Sequence, residues 1–122
     1  MPSDAAKRWV SPFFSSESPP NFARVWVLNP GVQDANVHAY WFETVTGEVV
    51  AKDSLEIQAG TAWIVTCGEQ VAHGWLRIVS DRPVVPWGTT PFRPGGELGH
   101  ATMDWYREEQ LQIDLSHRVP GN

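Results

Sequence analysis

From residue 24 to residue 90 short apolar runs alternate with turn signals, and few folds accept such a rhythm. The run Arg-Val-Trp-Val-Leu at 24–28 meets Asn-Pro-Gly at 29–31, the aromatic run at 36–42 meets Thr46 and Gly47, and later runs close on Ser-Asp-Arg-Pro at 80–83. Short strands at such spacing, separated by turn residues, predict an all-β chain built as an antiparallel immunoglobulin-like β-sandwich. No helical stretch is long enough to carry a nucleotide-binding or bundle-type site.

Successive side chains alternate across a pleat, so Val25 and Val27 oppose Trp26 and Leu28. Both faces are apolar, which predicts a central strand. Pro30 and Gly31 suit a type II turn. In the next run Val37, Ala39 and Trp41 share one face, with His38, Tyr40 and Phe42 on the other. Residues 49–57 read as a strand interrupted near Lys52 and Asp53, Ala59 and Gly60 as a turn, and 61–67 as a β-branched strand. At 73–79 Leu76 and Ile78 oppose Trp75, Arg77 and Val79; a turn is expected at 80–83, and Pro86 places 84–89 at an edge or a bulge.

The ends read differently. Pro2, Pro12, Pro19 and Pro20, with Ser-Ser-Glu-Ser at 15–18, predict an extended N-terminal arm over 1–22, in which 9–14 reads as a short edge strand or an extended stretch packed on the body. Residues 91–99 read as a loop, and 103–115 as a short C-terminal helix capped by Asp104 or a docking arm, although 111–115 alternates as a strand does. The expected organisation is a single domain: arm 1–22, core 23–90, loop and C-terminal arm 91–122.

A chain of 122 residues with 42% hydrophobic and 19% charged residues supports one globular core. No apolar run approaches the ~20 residues of a membrane span, and the N-terminus lacks the apolar segment of a signal peptide, so a cytoplasmic protein is expected. Cys67 is the single cysteine, which excludes an internal disulfide and a multi-cysteine zinc site. The net charge of −5 and the seven dispersed arginines argue against nucleic acid as a partner.

No nucleophile elbow, zinc-helix motif or phosphate-binding glycine loop is present, so a non-enzymatic protein without a cofactor is expected. His38, His73, His100 and His117 show neither the i, i+2 nor the i, i+4 spacing of a metal site, and none is expected. The seven tryptophans are the richer signal. Trp26, Trp41 and Trp63 sit among apolar neighbours and are expected in the core. Trp75 shares its predicted face with His73 and Arg77, a flat aromatic beside directed donors, and together with Trp87 these form the candidate contact face. Such a face suits a small polar, sugar-like ligand or a protein interface. Replacing Trp75 and Arg77 by alanine is then expected to abolish binding while folding stays cooperative. The rival is an assembly subunit whose terminal arms dock on neighbouring subunits, motivated by Trp105, Tyr106, Leu111, Ile113 and Leu115.

Val-Trp-Val-Leu-Asn-Pro-Gly at 25–31, Asp-Ala-Asn-Val at 34–37, Trp9 near the N-terminus and the pattern from Ser80 to Val85 resemble the sensory rhodopsin transducer family over roughly residues 7–90. The resemblance implies a small cytoplasmic β-sandwich, assembled as a homotetramer, acting as a transducer or small-molecule-binding module. It also implies contact with DNA, against which the acidic charge speaks. No site residue is carried over from it.

Overall fold

The structure, a computed structural model, describes residues 5–15, 23–65, 73–92 and 99–111. They form eight strands: β1 (Ala6–Ser15), β2 (Arg24–Leu28), β3 (Ala35–Glu43), β4 (Val49–Ile57), β5 (Ala62–Val65), β6 (His73–Phe92), β7 (Gly99–Thr102) and β8 (Tyr106–Arg107), followed by a 3-10 helix, Glu108–Leu111. All pairings are antiparallel. The larger sheet runs β4-β3-β6-β1-β8; in the smaller, β2 lies between β5 and the second half of β6, and β7 flanks that half on its far side. The expected all-β sandwich is therefore observed.

Between the sheets the alternation seen in the sequence becomes a core. Val25, Val27 and Val65 come from the smaller sheet and meet Val37, Ala39, Trp41, Leu76 and Ile78 of the larger. Phe14 stands edge-on to Trp41, with centroids 5.0 Å apart at 86°, a geometry the ring quadrupoles favour. Trp9 ties β1 across the fold, because its indole N–H donates to the Val84 carbonyl at 2.9 Å.

No chain reversal occurs at 80–83; β6 runs straight through as one twenty-residue strand. Its register against β1 advances from Val79 opposite Arg8 to Val84 opposite Ala6, so the turn-forming residues make the excursion by which β6 leaves one sheet for the other. Their side chains serve it locally. Asp81 accepts the Asn36 backbone N–H at 2.8 Å, and Ser80 Oγ accepts the Arg82 N–H at 3.2 Å. Pro86 pairs with Val27 on one side, while β7 on the other reaches only to Thr89, which is the edge-like setting the proline requires.

Four further expectations change. The supposed arm contributes a ten-residue strand lying between β6 and β8, with Pro12 and Phe13 in an irregularity of register between Ser11 and Phe14. β4 is continuous through Lys52 and Asp53, charges that a sheet edge tolerates. Among the described residues the left-handed glycines are Gly47 (φ 70) and Gly60 (φ 74), which turn β3 into β4 and β4 into β5; Gly31 is not among them, so 29–31 is not a type II turn. Within the described part of the C-terminal segment, Tyr106–Arg107 form β8 and Glu108–Leu111 one turn of 3-10 helix in place of a helix capped by Asp104, and Gln110 Oε1 accepts the Arg107 N–H at 2.7 Å to seal its start. Cys67, the stretch 16–22, the loop 93–98 and the alternation beyond Leu111 lie outside the described residues.

The Asp81 contact carries a pH signature. The Asn36 backbone N–H, assisted by its side chain, holds the Asp81 carboxyl below the usual carboxylate range against an opposing effect of burial. In the β3–β4 turn the Val45 and Thr46 N–H groups do the same for Glu43. Depressed folded values mean that this stabilisation is present above the unfolded carboxylate value of about 4 and is lost as pH falls through the folded one. Stability to urea will therefore decline below about pH 4, and less steeply in Asp81→Ala; equal slopes in the two proteins would remove Asp81 from the account.

Candidate functional site

The larger sheet places His73, Trp75 and Arg77 on one outer face, since they alternate with the core residues Leu76 and Ile78. Trp75 lies flat on Phe42, with centroids 3.8 Å apart and planes within 5°, beside Tyr40 and Val79 in a second apolar cluster. Arg77 is 0% exposed. Its Nε donates to Glu108 Oε2 at 3.0 Å and its Nη2 to Glu108 Oε1 at 3.1 Å, a two-bond fork that fastens the 3-10 helix to the sheet. His73 is exposed at the start of β6.

Trp87 belongs to the other half of β6. It lies on the outside of the smaller sheet and is 53% exposed, so it faces away from the other three across the thickness of the sandwich. The structure thus gathers three of the four candidates and separates the fourth.

What stands open is the outer face of the smaller sheet. Register sets Trp26, 42% exposed, opposite Ile64 on β5 and opposite Trp87 on β6. Leu28 lies opposite Ala62 and Val85, and Arg24 and Thr89 form a polar margin. The result is an apolar band across three strands. Trp26, expected in the core, is instead half of this band, because Val25 and Val27 fill the inward positions of β2. Its sequence signal was a short strand apolar on both faces; the opposition of Trp26 and Trp87, far apart along the chain, exists only in the register.

The open side of the sandwich, between the edge strands β4 and β5, holds a cleft of about 450 Å³ lined by Leu55, Glu56, Gln58, Thr61, Ala62 and Trp63. Trp63 was also expected in the core. Its register partner is the core residue Val27, but β5 stands at the rim, and the residue is 61% exposed. Only Trp41 of that trio is buried in the core. Among the described residues no group of three or more His, Cys, Asp or Glu converges as a metal site, and no helix is long and apolar enough to cross a membrane.

No protein-family model matches this chain, and no curated protein matches it either. Solved structures do. The crystal structure of Thermotoga maritima 1070 superposes with a TM-score of 0.68 at 16% identity, covering 87% of this chain and 97% of that one. The Anabaena sensory rhodopsin transducer superposes with a TM-score of 0.60 at 19% identity, covering 73% of this chain and 100% of that one. The resemblance to transducers read from the sequence holds at the level of the fold.

Proposed function

We propose that this chain is a non-enzymatic binding module that engages a protein, a second copy of itself included, through the outer face of its smaller sheet. The observation that carries the reading is Trp26 opposite Trp87 with Ile64 alongside, a contiguous apolar band left open to water. Exposed bands of this kind mark interaction surfaces, and tryptophan supplies the largest contact area per residue. The likeness in fold to a protein named as a transducer supports a relay role, in which a cytoplasmic homo-oligomer, a tetramer by resemblance, passes a signal by contact. The rival role as an assembly subunit docking through its arms has less support, since β1 and Tyr106–Arg107 are built into the chain's own larger sheet.

A double variant, Trp26→Ser with Trp87→Ser, tests the reading. Native mass spectrometry and light scattering will show the oligomer of the parent protein replaced by a smaller species, while the thermal midpoint moves by only a few degrees because both rings already face water. An unchanged oligomer in the variant, or a parent protein that is monomeric throughout, would overturn it.

The cleft at Trp63 favours a second reading, a small polar, sugar-like ligand. The exposed indole offers a flat apolar platform, and Gln58 and Thr61 offer hydrogen bonds beside it. Extra mass carried by the gently purified parent and lost in Trp63→Ala would support it; a bare mass in both would reject it.

A further inference from the structure

We infer that β4 pairs edge to edge with β4 of a second copy, antiparallel about a two-fold axis at Ser54, joining two larger sheets into one. The inference adds a second contact, separate from the Trp26–Trp87 face, to the self-association proposed above and rests on that reading.

β4 ends the larger sheet: β3 pairs along one side, and no described strand pairs along the other. A nine-residue edge offers a row of backbone donors and acceptors to any strand of matching sequence. Its exposed stripe is Val50, Lys52, Ser54 and Glu56, on the same side of the sheet as His38 and Tyr40, their register neighbours on β3.

A two-fold axis normal to the sheet keeps that stripe on one side of both copies, and charge then selects the register. With the axis at Ser54, Lys52 of each copy faces Glu56 of the other, and Val50 faces Gln58, whose methylene stem covers it. Moving the axis to Asp53 leaves Lys52 opposite Ser54 and Glu56 opposite Val50, with no opposite-charge pair. An axis at Lys52 sets ammonium against ammonium, and one at Leu55 leaves Lys52 opposite Gln58 with no opposite-charge pair. Of the registers that keep at least five β4 residues of each copy paired, only the one at Ser54 forms two such pairs at once, and it places a small residue on the axis. Ser54 is already oriented by His38 Nδ1, 2.8 Å from its hydroxyl oxygen.

Charge exchange tests this. Lys52→Glu alone sets Glu against Glu twice in the symmetric pair, and Glu56→Lys alone sets Lys against Lys twice. Each will weaken self-association by about ten- to a hundredfold in sedimentation or dilution measurements. The combined variant K52E/E56K restores the opposite-charge pairs and will recover the parent's affinity. Thermal unfolding of each confirms a folded chain, since both side chains are exposed.

Single variants that assemble like the parent overturn the inference, and so does a combined variant as weak as the singles. If those results coincide with an oligomer dissolved by the Trp26 and Trp87 changes, the proposed function stands and only the β4 seam falls. A parent protein monomeric at every concentration overturns both.

Discussion

Arg77→Leu will cost about 3–5 kcal/mol of folding stability, a large share of the roughly 5–15 kcal/mol that holds a domain of this kind together. The guanidinium is wholly buried and forked onto Glu108, so its removal leaves a carboxylate buried without that counter-charge. Glu108→Leu will cost a similar amount for the converse reason. The two together, R77L/E108L, will recover most of the loss, because well-packed apolar residues replace a buried ion pair at little net cost. Urea unfolding followed by tryptophan emission measures all three. A single variant as stable as the parent would show that the fork contributes nothing, and would return Arg77 to the role of a contact residue. Joint alanine replacement of Trp75 and Arg77, expected from the sequence to leave folding cooperative, is now expected to undo it: one change breaks the fork and the other strips the ring from Phe42.

Asn29→Ala comes next, at about 2–4 kcal/mol by the cost of buried groups left unmade. The residue is fully buried where the β2–β3 and β4–β5 connections meet. Its Nδ2 donates to the Gln33 carbonyl at 2.8 Å and the Ile57 carbonyl at 3.0 Å, and its Oδ1 accepts the Gly31 N–H at 3.1 Å. Its backbone accepts from the Gly60 N–H and donates to the Thr61 carbonyl, each at 2.9 Å. Asn29→Asp will be at least as damaging as alanine, since it keeps the acceptor but turns an oxygen toward two carbonyls. Both variants will also raise hydrogen exchange at Gly60 and Thr61. A urea midpoint in Asn29→Asp indistinguishable from the parent's would mean that the amide donates to neither carbonyl.

The strand content was legible because alternation is local: Val25, Val27, Val37, Ala39, Leu76 and Ile78 fill the inward positions their spacing assigned them. The turns at Gly47 and Gly60 were legible for the same reason, a positive φ being a property of one residue and its chemistry. Asn-Pro-Gly at 29–31 misled because the same residue types serve another purpose, with the Asn29 side chain bracing the loop in place of a tight reversal. Ser-Asp-Arg-Pro at 80–83 misled likewise. A sheet-to-sheet crossing and a reversal both need side chains that bond to backbone, and only the partner strands distinguish them.

The candidate site was legible in part. His73, Trp75 and Arg77 do share a face, as period two requires, but that Arg77 is closed off by Glu108 depends on a contact thirty-one residues away. That Trp87 faces the other way depends on β6 passing between sheets, and that Trp26 joins it depends on the β2–β6 register.

By itself, then, the sequence determined the all-β class and most strand positions, because each follows from alternation and turn chemistry within a few residues, while the likeness in fold to transducers was carried by the resemblance of its motifs. The tertiary structure alone decided which apolar side chains are core and which are surface. A strand with two apolar faces can bury either or both, and only long-range pairing sets Trp26 and Trp87 side by side in the open while Trp41 is enclosed.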